Sequence, residues 1–350
     1  MTDRDPLQGA QTQAVRVLLA AHGEAETPGM AENFQVSWRT LSHAADVMKL
    51  PAPLRLVICS LAAVRKRFSG RPGSAHNQNT RAQAVALQRR LDHDASGRFR
   101  VEPAYASSKP SLEQQLEPAA DHAIQLVISM IPSDSRLSCG LICHALEGKA
   151  AQQAQTSVLA RLWDSPELID VHCQHVVQQY PRNVASASCL VLLLHGTLVR
   201  DQHGNKPGFH TGEQEKAAYA SALRDALQAL PEGPWTRIEL AYLNHGVGGQ
   251  WSSPTLEERM DQLAEEGIHD VVVYACEHLV DGGETAGLPR TLASSGVKNA
   301  RLLPCLNSFP PLIDYLAKRV LDAMEHQQGS CCCDRCPLMA DRPDAGKSAV

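Results

Sequence analysis

Aromatic residues are scarce: Phe, Trp and Tyr together make up 4% of the 350 residues. So few rings argue against a surface that binds nucleic acid by stacking bases. A basic excess is also missing, since 33 Lys and Arg face 38 Asp and Glu for a net charge of −5. With no basic footprint, no nucleic-acid partner is expected. No apolar run approaches the roughly 18 residues that a membrane span requires. The opening stretch MTDRDPLQGAQTQ lacks an apolar segment of the signal-peptide kind. A cytoplasmic location is therefore expected, with contact to a membrane surface left open.

What is present is the composition of a soluble globular chain, 43% hydrophobic and 20% charged. The length suggests two lobes rather than one core. Strand and helix patterns alternate throughout, which predicts an α/β protein with a mostly parallel sheet in each lobe. The dominant stretch is CLVLLLHGT, Cys189 to Thr197. An unbroken aliphatic run that stops at His-Gly reads as a strand buried on both faces. His195 then stands at the carboxyl end of that strand, where open α/β sheets place their ligands.

An echo lies near the start, where VRVLLAA ends at His22-Gly23. Further on, PLRLVICSLAAVRKRF reads as a strand passing into a helix. Thr80 is the expected cap of RAQAVALQRRL, and Ser253 that of the helix in SPTLEERMDQLAEEG, which Gly267 closes. SLEQQLEPAADHA reads as helical, and HVVQQYPRNVASAS as a polar stretch between the lobes. Both halves open as strand, His-Gly, loop and long helix, a weak internal repeat. The predicted organisation is two similar Rossmann-like lobes, 1–185 and 186–328, each a parallel sheet flanked by helices, followed by a cysteine-rich extension, 329–350.

The chemistry-bearing candidates lie at strand ends. A neutral imidazole at His195 can accept a proton or bind a divalent metal. Glu284, in CEHLVDGGETAGLP directly after the strand VVVYAC, can relay protons or hold a cation. Glu277, His278 and Asp281 enrich the same loop. Each of these has a bland reading as a capping or solvated residue, and only their convergence would favour a site. In NHGVGGQWSSP, Trp251 beside two glycines is read as a ring packed over a cleft. Eleven cysteines are many for a reducing compartment, and four crowd into CCCDRC, Cys331 to Cys336. Metal or iron–sulfur binding is the natural expectation for that cluster.

Taken together, these segments resemble the ferrochelatase family over about residues 14 to 325. LLLHGTLVRDQHGNKPGFHTGEQ resembles the family's strand–His–Gly segment and the loop after it, with KPGF at a GDPY-like turn. VDGGETAGLP resembles the DHxET loop, and CLNSFPPLIDYLA a late Leu-Asn-x-x-Pro segment. GSAHNQNTRAQAVALQRRL is similar to a Gly-Ser-Pro-Leu helix entrance. The resemblance implies a chelatase-like fold and insertion of ferrous iron into a porphyrin, protoporphyrin IX or coproporphyrin III, in haem biosynthesis, with two protons released. It assigns His195 as the proton acceptor and metal-contacting base and Glu284 as its carboxylate partner. Trp251 and His22 would contact the substrate.

Two departures matter. Gly282 stands where the family usually carries the histidine of Asp-His-x-Glu-Thr, and His278 is the nearby residue that could substitute. The first lobe begins AAHGEAE, which is more similar to sirohydrochlorin chelatases, in which strand-end histidines hold the incoming metal. A sirohydrochlorin-type cobalt or iron chelatase is therefore an alternative, as is a non-catalytic porphyrin- or haem-binding regulator. Some ferrochelatases carry a 2Fe–2S cluster on one internal and three C-terminal cysteines. The resemblance then implies Cys139 and three of the four tail cysteines as its ligands, of which Cys331, Cys333 and Cys336 are chosen and Cys332 is left out.

Overall fold

A computed structural model describes residues 14–46, 50–68, 74–95, 97–117, 122–147, 149, 156–181, 188–231, 233–245 and 248–325. The first lobe runs β1 (Ala14–Ala21), α1 (Met30–His43), α2 (Ala52–Phe68), α3 (Ala75–Ala95), β2 (Phe99–Tyr105), α4 (Leu112–Gln115), β3 (His122–Ser129), α5 (Cys139–Ala145) and β4 (Thr156–Leu159). Helix α6 (Pro166–Gln179) leads into the second lobe. This lobe comprises β5 (Ser188–His195), β6 (Leu198–Asp201), α7 (Glu213–Gln228), β7 (Trp235–Leu243), β8 (Gly249–Trp251), α8 (Leu256–Glu265), β9 (Asp270–Tyr274), α9 (Leu288–Ser294), β10 (Asn299–Leu303) and α10 (Pro310–Glu325). The expected division at 185/186 and the extension from 329 lie outside the described residues.

The two lobes repeat one topology. The first sheet is ordered β2-β1-β3-β4 and the second β10-β9-β5-β7, all pairs parallel. Counted from each lobe's own first strand, both orders are second, first, third, fourth. The chain leaves the first strand toward one edge and returns on the other side of it, which creates a switch point at that strand's carboxyl end. His22 and His195 occupy this position in their respective lobes.

Leu190 to Leu194 are fully buried. Leu190, Leu192 and Leu194 face one core cluster while Cys189, Val191 and Leu193 face another, the period-two alternation of a strand covered on both faces. Each of these leucines contributes about 2 kcal/mol of burial. The first of those clusters continues through α6 and α10 to Val17, Leu19 and Ile128, so the lobes share a core. Behind β9, the buried His172 ring bridges two phenols: its Nδ1 lies 2.6 Å from the Tyr274 hydroxyl and its Nε2 2.6 Å from that of Tyr219. Burial pushes its pKa down to about 3, so the ring stays neutral as one donor and one acceptor.

Several local expectations are corrected. PLRLVICSLAAVRKRF is the single helix α2, because β2 and β3 already flank β1 and leave no place for another strand beside it. Thr80 is not a cap. Helix α3 starts earlier, where the Ser74 hydroxyl accepts the Asn77 amide at 3.0 Å, and Thr80 donates to the His76 carbonyl at 2.9 Å. Helix α8 is capped by Thr255 rather than Ser253, through a capping box in which Glu258 returns a carboxylate to the Thr255 amide at 2.8 Å. SLEQQ forms only the short α4, and HVVQQ belongs to α6.

Candidate active site at the lobe junction

Strand β5 delivers His195 to the junction with its backbone held on both sides. The His195 amide donates to Glu277 Oε2 at 3.0 Å, and its carbonyl accepts from Lys216 Nζ at 2.8 Å. Lys216 and Glu277 also face each other at 3.4 Å, both nearly excluded from solvent. Lys216 comes from the first turn of α7 and Glu277 from the loop after β9. A buried ion pair from two elements thus clamps the strand end. A Cβ on Gly196 would overlap the side-chain amide of Asn244, so a larger residue there would displace Asn244.

The imidazole has a defined tautomer. Its Nδ1 lies 2.8 Å from the Gly196 carbonyl, which only accepts, so the proton sits on Nδ1 and Nε2 carries the lone pair. That lone pair points at His245 Nε2, 2.9 Å away, and lies 3.8 Å from Glu284 Oε1. Two ring nitrogens so close need a proton or a cation between them. Ligand atoms of His195, His245 and Glu284 all fall within 4.8 Å of one another, which gives a divalent ion two nitrogens and a carboxylate.

Electrostatics keep this set ready for a cation. Burial lowers the His195 pKa to about 4 against the pull of Glu284, so the ring is neutral near pH 7. Burial alone would raise the Glu284 pKa, yet the field of His195 and the hydrogen bond from His278 hold its carboxyl well below the usual range. His278 Nε2 lies 2.8 Å from Glu284 Oε2. Burial opposes charge on His278, but Glu284 raises its pKa above the ordinary value. Trp251 in β8 meets His245 edge-on, ring centroids 5.6 Å apart, and so orients that ring.

The first lobe closes the other side. His22 follows β1, its Nε2 3.4 Å from the Thr40 hydroxyl, and burial lowers its pKa although Glu284 and Glu24 pull the other way. Glu24 reaches across the junction: its Oε1 accepts the Gly283 amide at 2.6 Å while Oε2 accepts the Ser74 hydroxyl at 2.9 Å. A Cβ on Gly282 would lie 3.1 Å from both Glu24 Oε1 and the His76 Cβ. First-lobe side chains thus fill the space in which a residue-282 side chain would start. The rest of the loop is held by Asp281, whose amide donates to Asn307 Oδ1 at 2.9 Å and whose Oδ2 accepts from Asn307 Nδ2 at 2.7 Å.

Of the sequence-predicted residues, His195, Glu284 and His278 converge, His22 faces them across the junction, and Trp251 packs on their neighbour. Sequence reasoning missed His245, Glu24, His76 and the clamp role of Lys216 and Glu277. His245 carried a usable signal, because His245-Gly246 is a third His-Gly after an apolar strand. Cys139 stands at the start of α5, fully buried in the first-lobe core, its thiol 3.9 Å from the Ser135 carbonyl. Ligation of a shared cluster by this sulfur would require the first turn of α5 to open. Cys331, Cys333 and Cys336 lie outside the described residues.

A family model for ferrochelatase matches residues 14–324. The chain is 24% identical to a ferrochelatase from Pseudomonas fluorescens (strain SBW25) over 302 residues, covering 75% of this chain and 85% of that one. It is 23% identical to a ferrochelatase from Synechocystis over 301 residues, covering 80% and 75%. Among solved structures, SirB from Bacillus subtilis, determined with Fe3+, superposes with a TM-score of 0.52 at 12% identity, covering 90% of this chain and 98% of SirB. That likeness establishes a shared chelatase fold.

Proposed function

We propose that this chain, which belongs to the ferrochelatase family, inserts ferrous iron into a porphyrin in haem biosynthesis and releases two protons. The observation that carries the reading is the convergence of His195, His245 and Glu284 within 4.8 Å, at the carboxyl end of a fully buried strand. Two imidazoles and a carboxylate suit a borderline divalent ion such as Fe2+. They hold it by three contacts, few enough for a tetrapyrrole to displace.

As the pyrrole nitrogens take the metal, their protons need acceptors. His195 Nε2 and the Glu284 carboxylate, freed of metal in the same step, stand within 3.8 Å of each other. The Lys216–Glu277 clamp keeps the His195 backbone fixed while its ring exchanges metal for proton. Trp251 supplies an apolar ring beside His245 for the macrocycle to contact.

A second reading, a sirohydrochlorin-type iron or cobalt chelatase, is favoured by His22 and Glu24 facing the site from the first lobe. A non-catalytic porphyrin- or haem-binding regulator is favoured by Gly282. Purified chain supplied anaerobically with ferrous iron and either tetrapyrrole, followed by absorbance, separates the three readings. Porphyrin metallation that falls at least a hundredfold in His195→Ala is expected. Porphyrin turnover that survives His195→Ala defeats the assignment of the base, and turnover of sirohydrochlorin alone favours the second reading. Absence of any turnover, with tight porphyrin binding, favours the regulator. A 2Fe–2S cluster on Cys139 and the tail cysteines is proposed on family resemblance alone.

A further inference from the structure

Helix α3 of the first lobe places two carboxamides against the second-lobe loop that carries Glu284. Asn79 and Gln83 stand four residues apart, so they share one face of the helix. Asn79 Nδ2 donates to the Asp281 carbonyl at 3.1 Å. Gln83 Nε2 donates to the Asn307 carbonyl at 2.8 Å and to the Leu279 carbonyl at 3.2 Å. A third first-lobe side chain, Glu24, accepts the Gly283 amide at 2.6 Å. The first lobe therefore grips residues 279, 281 and 283, every second position of the stretch that ends at Glu284.

Gln83 is an expensive way to fill a core position. It is fully buried, and both of its partners are carbonyls, so the amide faces them with its nitrogen. Its Oε1 is then buried with no hydrogen-bond partner, which is costly. Nor does Leu279 depend on it, because that carbonyl also accepts the Asn307 amide at 2.9 Å. What Gln83 adds is a tie from the first lobe to both sides of the Leu279–Asn307 contact, and Asn307 in turn holds Asp281.

The chain beyond Asp281 needs such anchors. Gly282 and Gly283 precede Glu284, and glycine restricts the backbone least. The Thr285 hydroxyl accepts the Gly282 amide at 2.9 Å, which shapes a local turn without fixing where that turn sits.

We propose that Asn79 and Gln83 are positioning residues of the metal site. They hold the loop from Leu279 to Glu284 where Glu284 Oε1 comes within 3.8 Å of His195 Nε2. The proposal rests on the reading of Glu284 as a metal ligand.

The test is anaerobic titration of ferrous iron into the full chain and its variants. Asn79→Ala and Gln83→Leu should each weaken binding about 10–100-fold, as loss of an outer partner does. Residues that act through Glu284 have nothing left to perturb once its charge is removed. Gln83→Leu added to Glu284→Gln should therefore change affinity less than about twofold, whereas added to His195→Ala it should keep its full effect. A Gln83→Leu loss of equal size with and without Glu284 would overturn the proposal, since it would report a general loosening of the fold. So would unchanged affinity in Asn79→Ala, a half-buried position that keeps the test decisive where Gln83→Leu does not fold. Unchanged affinity in Glu284→Gln would instead overturn the metal-site reading, and this proposal with it.

Discussion

Replacing Lys216 by Met removes one half of the ion pair that brackets His195. Met keeps most of the buried stem, so packing loss is small and the charge dominates. Glu277, 4% exposed, would then keep the His195 amide as its partner and lose the cation 3.4 Å away. Leaving one member of a buried pair costs about 3–5 kcal/mol. At roughly 2 °C per kcal/mol for a chain of this size, the melting temperature should fall by about 6–10 °C. Glu277→Leu should cost a similar amount, because Lys216 then keeps only the His195 carbonyl at 2.8 Å. Combining the two removes both charges, and the double variant should recover most of either loss, giving a coupling of at least 2 kcal/mol, on the order of a buried network. Affinity for a divalent ion should drop about 10–100-fold in each single variant, since the strand end that presents Nε2 is loosened. Scanning calorimetry and titration of ferrous iron into the apoprotein read the two effects separately. Single-variant costs below about 1 kcal/mol, or costs that simply add in the double variant, would refute the clamp.

Three further outcomes follow from the same geometry. Gly23→Ala should destabilise by about 2–4 kcal/mol in denaturant unfolding, because φ is +80° and a Cβ would lie 2.5 Å from both Tyr105 Cβ and the Ser108 hydroxyl. The pKa of His278 is raised above 6.5 despite burial, through Glu284, so its contribution to stability is full below about pH 6.5 and is lost as pH rises through the folded value. The melting temperature should therefore decline above neutrality, and His278→Gln should flatten that decline in a calorimetric pH series. Protein purified anaerobically should show visible absorbance of a 2Fe–2S centre that Cys139→Ser removes; a colourless protein containing zinc would defeat the cluster.

The architecture was legible because its signals are local and strong. The run from Leu190 to Leu194, bounded by His-Gly, reads as a strand covered on both faces, and the repeated His-Gly marks two corresponding strand ends. What was not legible depends on contacts across long separations. Glu24 touches the Gly283 amide over 259 positions of chain, and Lys216 reaches Glu277 from a separate helix. Neither has a spacing that a linear pattern could reveal. The misreading of α2 has a physical cause as well. Its first aliphatic residues read as a strand, whereas they begin a helix whose core side is formed by the small Cys59 and Ala63 and whose large residues face outward.

The two lobes share one strand order, yet they use their His-Gly ends differently. In the second lobe a third His-Gly, at His245, brings a ring against His195, and Glu284 completes a ligand set. In the first lobe His22 meets the Thr40 hydroxyl, and the carboxylate two residues on, Glu24, is spent holding the Gly283 amide. The first lobe's acid thus fixes the loop that aims the second lobe's acid. Gly282 and Gly283 make this contact feasible, because a side chain at either position would press on Glu24 or His76. The absence of a histidine at 282 is then the condition for the first lobe to approach, and it places His22, Glu24 and His76 around the site in its stead. Restoring the family residue by Gly282→His should therefore weaken the junction rather than improve the site. The expected loss is about 1–3 kcal/mol of stability, as for an overpacked core position, with lower metal affinity. Higher metal affinity with undiminished stability would show that the space at Gly282 is free.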